Sequence, residues 1–379
     1  MAGIYVHIPF CKQACHYCNF HFSTSLQRKN ELMAALLKEA ALQSNYLDNA
    51  DVHTLYFGGG TPSLLPAEDL QRIMESLHLH FSIPADAEIT VEANPDDISA
   101  EILRDWKEAG VNRLSIGTQS FSDEDLKWMN RAHSALQAEK SILLAREAGF
   151  ENLTIDLIYG IPGLTDDRWK LNVDKACSLG IQHLSCYALT VENKTALHSM
   201  IQQGKKAPVN NDDQARQFLL LMDWMEANGF EHYEISNFAQ PGHRSLHNSS
   251  YWNGTPYLGL GPSAHSFNGK SRQWNLQNNS LYIQSLEKNR IPFEREETGP
   301  IHALNEYIMT SLRTMEGCSL EEIEKRFGKD KALEIMEFSL PWISNNKLVR
   351  KENNLVLTRE GKLLADGISA DLFFTATGS

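Results

Sequence analysis

The sequence predicts an α/β fold: a partial, TIM-like parallel barrel of six βα units, (β/α)6, followed by a small helical unit. Three observations carry that expectation. Short apolar strands alternate with amphipathic helical stretches through residue 188, each strand ends in a glycine, a carboxylate or an amide, and the chemically pointed motifs fall at those ends. At 379 residues, with 42% hydrophobic content and 22% charge, the chain has room for one large domain and one small one. An open doubly wound sheet is the rival arrangement, because six βα units fit either.

The strands read as Ile4–Ile8, Thr54–Phe57, Glu88–Val91, Arg113–Ile116, Thr154–Ile158 and His183–Ala188. Each is a short run rich in β-branched, aromatic or leucine residues, as strands of a covered parallel sheet are. Between them, Lys29–Leu47, Ala67–Leu79, Ala100–Ala109, Ala135–Ala148 and Asp167–Leu179 repeat apolar residues at helical spacing. Beyond about residue 195 the alternation stops. A long helix over Asp213–Ala227 leads to a Gly-, Asn- and His-rich stretch from His243 to Gly269, which reads as a functional loop region. After Pro300 come a helix over Ala303–Met315, a capping box of Ser319 with Glu322, a helix around Lys331–Ser344, a hairpin through Asn353 and Asn354, and a closing helix from Arg359. Helices followed by a wing match a winged-helix module, used on DNA and also as a structural lid; the acidic chain favours the lid. The expected division is 1–240 for the barrel, 241–300 for the connecting loop region and 301–379 for the winged-helix-like unit.

The charge balance, 35 basic against 48 acidic side chains for a net −13, argues against nucleic acid as a partner, because phosphate-binding surfaces are basic. Cys177, Cys186 and Cys318 are scattered without paired spacing, so a reducing compartment, the cytoplasm, is expected. The chain has no export signal and no apolar run near the roughly 18 residues a span needs; peripheral membrane contact stays open.

Three further cysteines sit just past the first strand as Cys11-Lys-Gln-Ala-Cys15-His-Tyr-Cys18. A four-iron cubane normally takes four thiolates, so a compact set of three leaves one iron without a protein ligand and open to a substrate. Structural zinc is the alternative, with His7, His16 and His21 nearby, but no second C-x2-C pair follows. Gly58-Gly59-Gly60-Thr61-Pro62 ends the second strand and lets a backbone approach a small ligand, or simply makes a tight turn. The guest it suggests is the methionyl end of S-adenosylmethionine, whose amino and carboxylate groups can chelate an open iron. Glu92 ends the third strand and suits a ligand ammonium. Gln119 ends the fourth, Arg131 follows it, and Asp156 lies in the fifth; an Arg and an Asp at one mouth suit a carboxylate and a ribose, although singly each is more often a structural ion pair.

In order and approximate spacing these residues resemble the radical S-adenosylmethionine (SAM) proteins grouped with oxygen-independent coproporphyrinogen III oxidase, over nearly the whole chain. The resemblance implies that Tyr5, Tyr17, Gly59 and Glu92 contact a cluster-bound SAM. It also implies that Gly60, Thr61, Gln119, Arg131 and Asp156 match positions where the oxidase holds a second one. Two features depart from the oxidase: Phe20 stands where its pattern has a fourth cysteine, and Tyr5 lies at the very start of the chain. Both are similar to the HemW-type haem chaperones, as is His247-Asn248-Ser249-Ser250-Tyr251-Trp252, which resembles that family's H-N-x-x-Y-W signature. The family implies a [4Fe-4S] cluster, SAM, haem, a haem-acceptor protein and, if the cluster cleaves SAM to a 5′-deoxyadenosyl radical, an electron donor. The oxidase reaction is the alternative function. His247 is the candidate haem-iron ligand, its alternative being a core histidine. His265, in Gly259-Leu-Gly261-Pro-Ser-Ala-His265, is a candidate for SAM contact, haem contact or packing.

Overall fold

The computed structural model describes residues 1–375. The six expected strands form as β1 (Ala2–Ile8), β2 (Val52–Gly59), β3 (Glu88–Ala93), β4 (Arg113–Gln119), β5 (Asn152–Tyr159) and β6 (His183–Ala188), adjacent in sequence order and all parallel. A doubly wound sheet reverses its strand order at a switch point. No reversal occurs here, so the rival arrangement is excluded.

The strand pattern explains both faces of this wall. Ile4, Val6, Leu55, Phe57, Val91, Leu114, Ile116, Ile155 and Leu184 are buried against the helices in one core. The alternate positions are small or polar: the pairing puts Tyr5 beside Tyr56 and Thr90, and Ser115 beside Glu92 and Thr154, on the face that encloses the barrel. Side chains of period two thus separate a packed outside from a polar inside. The intervening helices start where their caps dictate. Ser99 accepts from Ile102 N–H, Ser134 and Gln137 make a full capping box, and Thr165 caps the helix Asp166–Ser178.

The stretch expected as a loop region is not one. After β7 (Glu231–Glu234) and β8 (Asn237–Ala239) extend the wall antiparallel beyond β6, the chain forms a helix over Leu246–Trp252. It then returns as β9 (Tyr257–Leu260), parallel to β1 on the opposite flank. β10 (His265–Phe267), β11 (Ser271–Asn275) and the charged edge strand β12 (Phe293–Glu297) follow antiparallel. Strands of three to five residues broken by Gly and Asn carry too little periodicity to be read.

A second core, built on Leu304, Ile308, Leu312, Ile323, Ile335, Leu355 and Ile368, holds the C-terminal unit. There the helices Pro300–Leu312, Leu320–Phe327 and Lys329–Ser344 pack on β13 (Cys318–Ser319), β14 (Leu348–Lys351) and β15 (Asn354–Leu357), the winged-helix pattern. Ser319 caps Glu322 N–H, but the Glu322 carboxylate turns outward toward Lys325 and Arg326, leaving a simple N-cap where a capping box was expected. Nor is the unit a lid over the mouth. It seats on β7 and the helix Leu246–Trp252, through Met315 N–H to Tyr233 O at 3.0 Å, Arg244 with Glu316 at 2.8 Å, and Arg313 over the Trp252 ring. Among the described residues no helix is long and apolar enough to cross a membrane.

Candidate cluster and cofactor site

The cysteine loop is shaped by bonds that do not involve its thiols. Its base is closed by Cys11 N–H to Ser23 O at 3.0 Å and Ser23 N–H to Pro9 O at 2.9 Å. Its far side is tied to the end of the helix Asp123–Met129 that follows β4: Gln13 donates to Asn130 O at 2.9 Å, and Asn130 donates back to Ala14 O at 2.8 Å. Asn130 sits in the left-handed region, φ 61°, which an Asn tolerates better than most residues. Leu197 N–H, in the helix Ala196–Gln202, adds a bond to His16 O at 2.7 Å. Cys11, Cys15 and Cys18 are thereby presented, unpaired and half-buried, to a cavity of about 460 Å³.

Tyr17, Gly59, Gly60, Thr61, Glu92, Gln119, Arg131 and Asp156 line the same cavity, whose wall is drawn entirely from residues 11–192. The neighbouring histidines are committed elsewhere. His16 Nδ1 meets Trp128 O, His21 Nε2 meets Asn279, and His7 is held at both nitrogens by Tyr5 OH and His21 O. Among the described residues no three metal-binding side chains converge on one point, as a mononuclear zinc site would need. Thiolates of a cubane bind different irons and need no such convergence.

Second-tier bonds fit a thiolate-held, electron-rich group. Thr61 Oγ1 donates to Cys11 Sγ at 3.5 Å and Arg131 Nη1 to Cys15 Sγ at 3.3 Å. Burial pushes the Cys18 thiol up to about 11 and raises that of Cys11, a penalty that cation coordination would remove. Asn94, which sequence reading passed over inside Val-Glu92-Ala-Asn94-Pro, links the two donors: it gives its Nδ2 to Thr61 Oγ1 at 3.1 Å and accepts from Arg131 Nη2 at 2.6 Å. Arg131 also donates to Gly117 O at 2.8 Å, so it braces the cysteine side of the cavity and does not reach freely across it. Asn94→Ala is expected to leave the fold intact and make iron loss to a chelator about tenfold faster, read by absorbance after anaerobic loading.

The glycine run serves the carboxylate beside it. Gly59, at φ 106°, donates its N–H to Glu92 Oε2 at 3.1 Å, and a side chain at Gly60 would strike Phe10 O at 2.6 Å. Glu92 also accepts from Tyr56 OH at 2.8 Å, yet burial, reinforced by the nearby Asp156 charge, lifts it to about 7. Asp156 is lifted to about 6, again chiefly by burial. A raised carboxyl contributes stability below its ordinary range and loses it as pH climbs through the folded value. In protein free of cluster and ligand, Glu92→Gln is therefore expected to match the parent near pH 4 and exceed it above pH 7, by about 2 kcal/mol after allowance for the open cavity. Denaturant unfolding against pH reads the difference.

Gln119 is buried with φ 64°, an unfavourable backbone for a residue without special turn chemistry, where the pairing of β4 with β5 slips. Tyr5 does not line this cavity. It faces a second one, about 380 Å³, with His265. His247 lies at neither mouth. The helix Leu246–Trp252 plugs the opposite end of the barrel, where Glu88, first residue of β3, accepts from Leu246 N–H and His247 N–H at 3.0 and 2.9 Å. The His247 ring is 1% exposed, stacked on Tyr56, and bonded at Nδ1 to Thr54 at 2.8 Å and at Nε2 to Tyr251 OH at 2.9 Å. Burial drops it to about 3, leaving it neutral. In this arrangement neither nitrogen faces a haem iron, which corrects the expectation that every motif converges on one mouth. Short strands hid the direction of the chain here.

A partial parallel barrel with a C-x3-C-x2-C loop facing its mouth defines a radical SAM protein, and residues 5–176 match the radical SAM superfamily. That membership implies a [4Fe-4S] cluster and SAM. The chain is 35% identical over 373 residues to the heme chaperone HemW of Bacillus subtilis, covering 97% of this chain and 98% of that protein. It is equally 35% identical to HemW of Mycobacterium tuberculosis H37Rv, covering 97% and 93%. The chain belongs to the HemW family. The solved coproporphyrinogen III oxidase HemN of Escherichia coli shares its fold, with a TM-score of 0.85 at 24% identity over 98% of this chain and 90% of that one.

Proposed function

We propose that this protein is a haem chaperone. Cys11, Cys15 and Cys18 hold a [4Fe-4S] cluster, SAM occupies the adjoining cavity with Glu92 facing its amino group, and haem is bound nearby and passed to an acceptor protein. The observation that carries the reading is the cavity wall itself, in which three half-buried thiols meet the half-buried Glu92 carboxylate and the Arg131 guanidinium. When bound, the cluster supplies one electron and an iron site for SAM. The chain's own residues do the rest: Thr61 and Arg131 donate to the sulfurs, and Gly59 and Tyr56 fix the Glu92 oxygens. The HemW relatives are named heme chaperones and are matched over 98% and 93% of their length. Phe20, 67% exposed at the cavity rim, stands where the oxidase pattern has cysteine and supports the chaperone over the oxidase. Free thiol ligands support a reducing compartment, the cytoplasm. An electron donor is a further partner only if SAM is cleaved.

Anaerobically reconstituted protein tests this directly. Haem is expected to bind and to move to apomyoglobin, used as a generic acceptor, while coproporphyrinogen III supplied with SAM and reductant is returned unchanged. Accumulation of protoporphyrinogen would establish the oxidase instead.

A further inference from the structure

We infer that His265, and not His247, is the protein ligand to haem iron, in the side cavity between the cysteine loop and the β9–β10 corner; the assignment rests on the haem-chaperone reading above. This cavity, about 380 Å³, is walled by Phe20, His21, Tyr251, Tyr257 and His265. Aromatic walls suit a flat apolar macrocycle, and one uncommitted imidazole suits its iron. Of the cavity's histidines, His265 is the one with neither ring nitrogen engaged by the described residues. His7 is engaged at both nitrogens, His21 is held by Asn279 at 2.7 Å, and His247 is locked in the barrel floor. Among the described residues none bonds to either ring nitrogen of His265, whose ring stacks on Trp274 with centroids 6.1 Å apart. His265 is exposed at the cavity, and desolvation together with the Arg272 charge nearby lowers its proton affinity.

The backbone around His265 is built to hold it there. A side chain at Gly259 would lie 2.1 Å from His265 O, and Gly261, at φ 101°, donates to the buried Glu39 carboxylate at 2.8 Å. Asn275 donates to the other Glu39 oxygen at 2.7 Å, pinning β11 behind the corner. The H-N-x-x-Y-W helix acquires a role on the same grounds. His247 holds Tyr251 OH, and Tyr251 packs edge-on against Tyr257 at 4.7 Å, so His247 is a positioning residue for the cavity wall. Phe20 lines this cavity and the cluster cavity alike, which puts haem beside the cluster. Across the Tyr251–Tyr257 partition lies another cavity, about 530 Å³, with His302 and Met309. There Arg272 is ion-paired with Glu306, and no cysteine-loop residue contributes.

Haem titration of the full, anaerobically reconstituted chain, read by Soret spectrum and EPR, tests the assignment. His265→Ala is expected to lose the histidine-ligated spectrum, to weaken binding at least about tenfold, and to regain the spectrum with added imidazole. His247→Ala is expected to keep the ligation type while binding a few-fold more weakly. Circular dichroism confirms that each variant is folded. A His265→Ala spectrum and affinity equal to the parent's would overturn the assignment, as would loss of ligation in His302→Ala instead. Failure of the parent protein to bind haem at all defeats the chaperone reading itself, a separate outcome.

Discussion

Replacing Cys11, Cys15 and Cys18 together by alanine is expected to take iron and acid-labile sulfide from about four per chain to background while the barrel stays folded. The separation of the two effects follows from how the loop is built. Its shape rests on Cys11 N–H to Ser23 O, Gln13 to Asn130 O, Asn130 to Ala14 O and Leu197 N–H to His16 O, none of which uses a thiol. The Cys11 and Cys18 thiols are half-buried with their proton affinity raised by burial, so they are neutral in the apoprotein and their removal strands no charge. Far-ultraviolet dichroism and melting temperature should stay within about 2 °C of the parent's, the shift a change of roughly 1 kcal/mol produces in a chain of this size. Retention of iron by the triple variant would remove the cysteines from the site; global unfolding would mean that the loop depends on its thiols for shape.

Arg113→Ala is expected to be the most destabilising single change in the barrel, at about 3–5 kcal/mol. Arg113 is 1% exposed at the first position of β4, close to Glu88 at 3.8 Å and donating to Thr154. Glu88 in turn receives the two N–H groups that start the Leu246–Trp252 helix. Removing the guanidinium leaves a carboxylate in the barrel floor with only those two donors, an uncompensated buried charge. The double variant Arg113→Met with Glu88→Gln should recover more than half of the loss, because it removes both charges and keeps most of the volume. The first unfolding transition in urea reads both. Equal destabilisation in Arg113→Met alone and in the double variant would show that the stranded Glu88 charge is not responsible.

What the sequence made legible followed from local rules. The six barrel strands and the helices between them were readable because each is a compact run bounded by turn residues, as in Gly3-Ile4-Tyr5-Val6-His7-Ile8 before Pro9. The cysteine triplet was readable because all three ligands lie in one loop. Asn94 was not, since its value comes from joining Thr61 and Arg131, residues that only the fold brings together. His247 was visible as a motif and misplaced in space. Its chemistry is local, but its position depends on β9 returning parallel to β1, a long-range pairing of a four-residue strand. The β9–β10 corner illustrates the same limit, for the glycines of Gly259-Leu-Gly261 announce a tight path without saying which side chain it exposes.

The account stands on an iron of the cluster that no protein group holds. The direct measurement is EPR and electron-nuclear double resonance on the reduced, reconstituted protein, with and without SAM labelled at its amino nitrogen. The expected result is a changed EPR signal with hyperfine coupling to the labelled nitrogen, weakened when Glu92→Gln loosens the contact to that amino group. An unchanged signal without coupling, in protein that demonstrably carries the cluster, would contradict it.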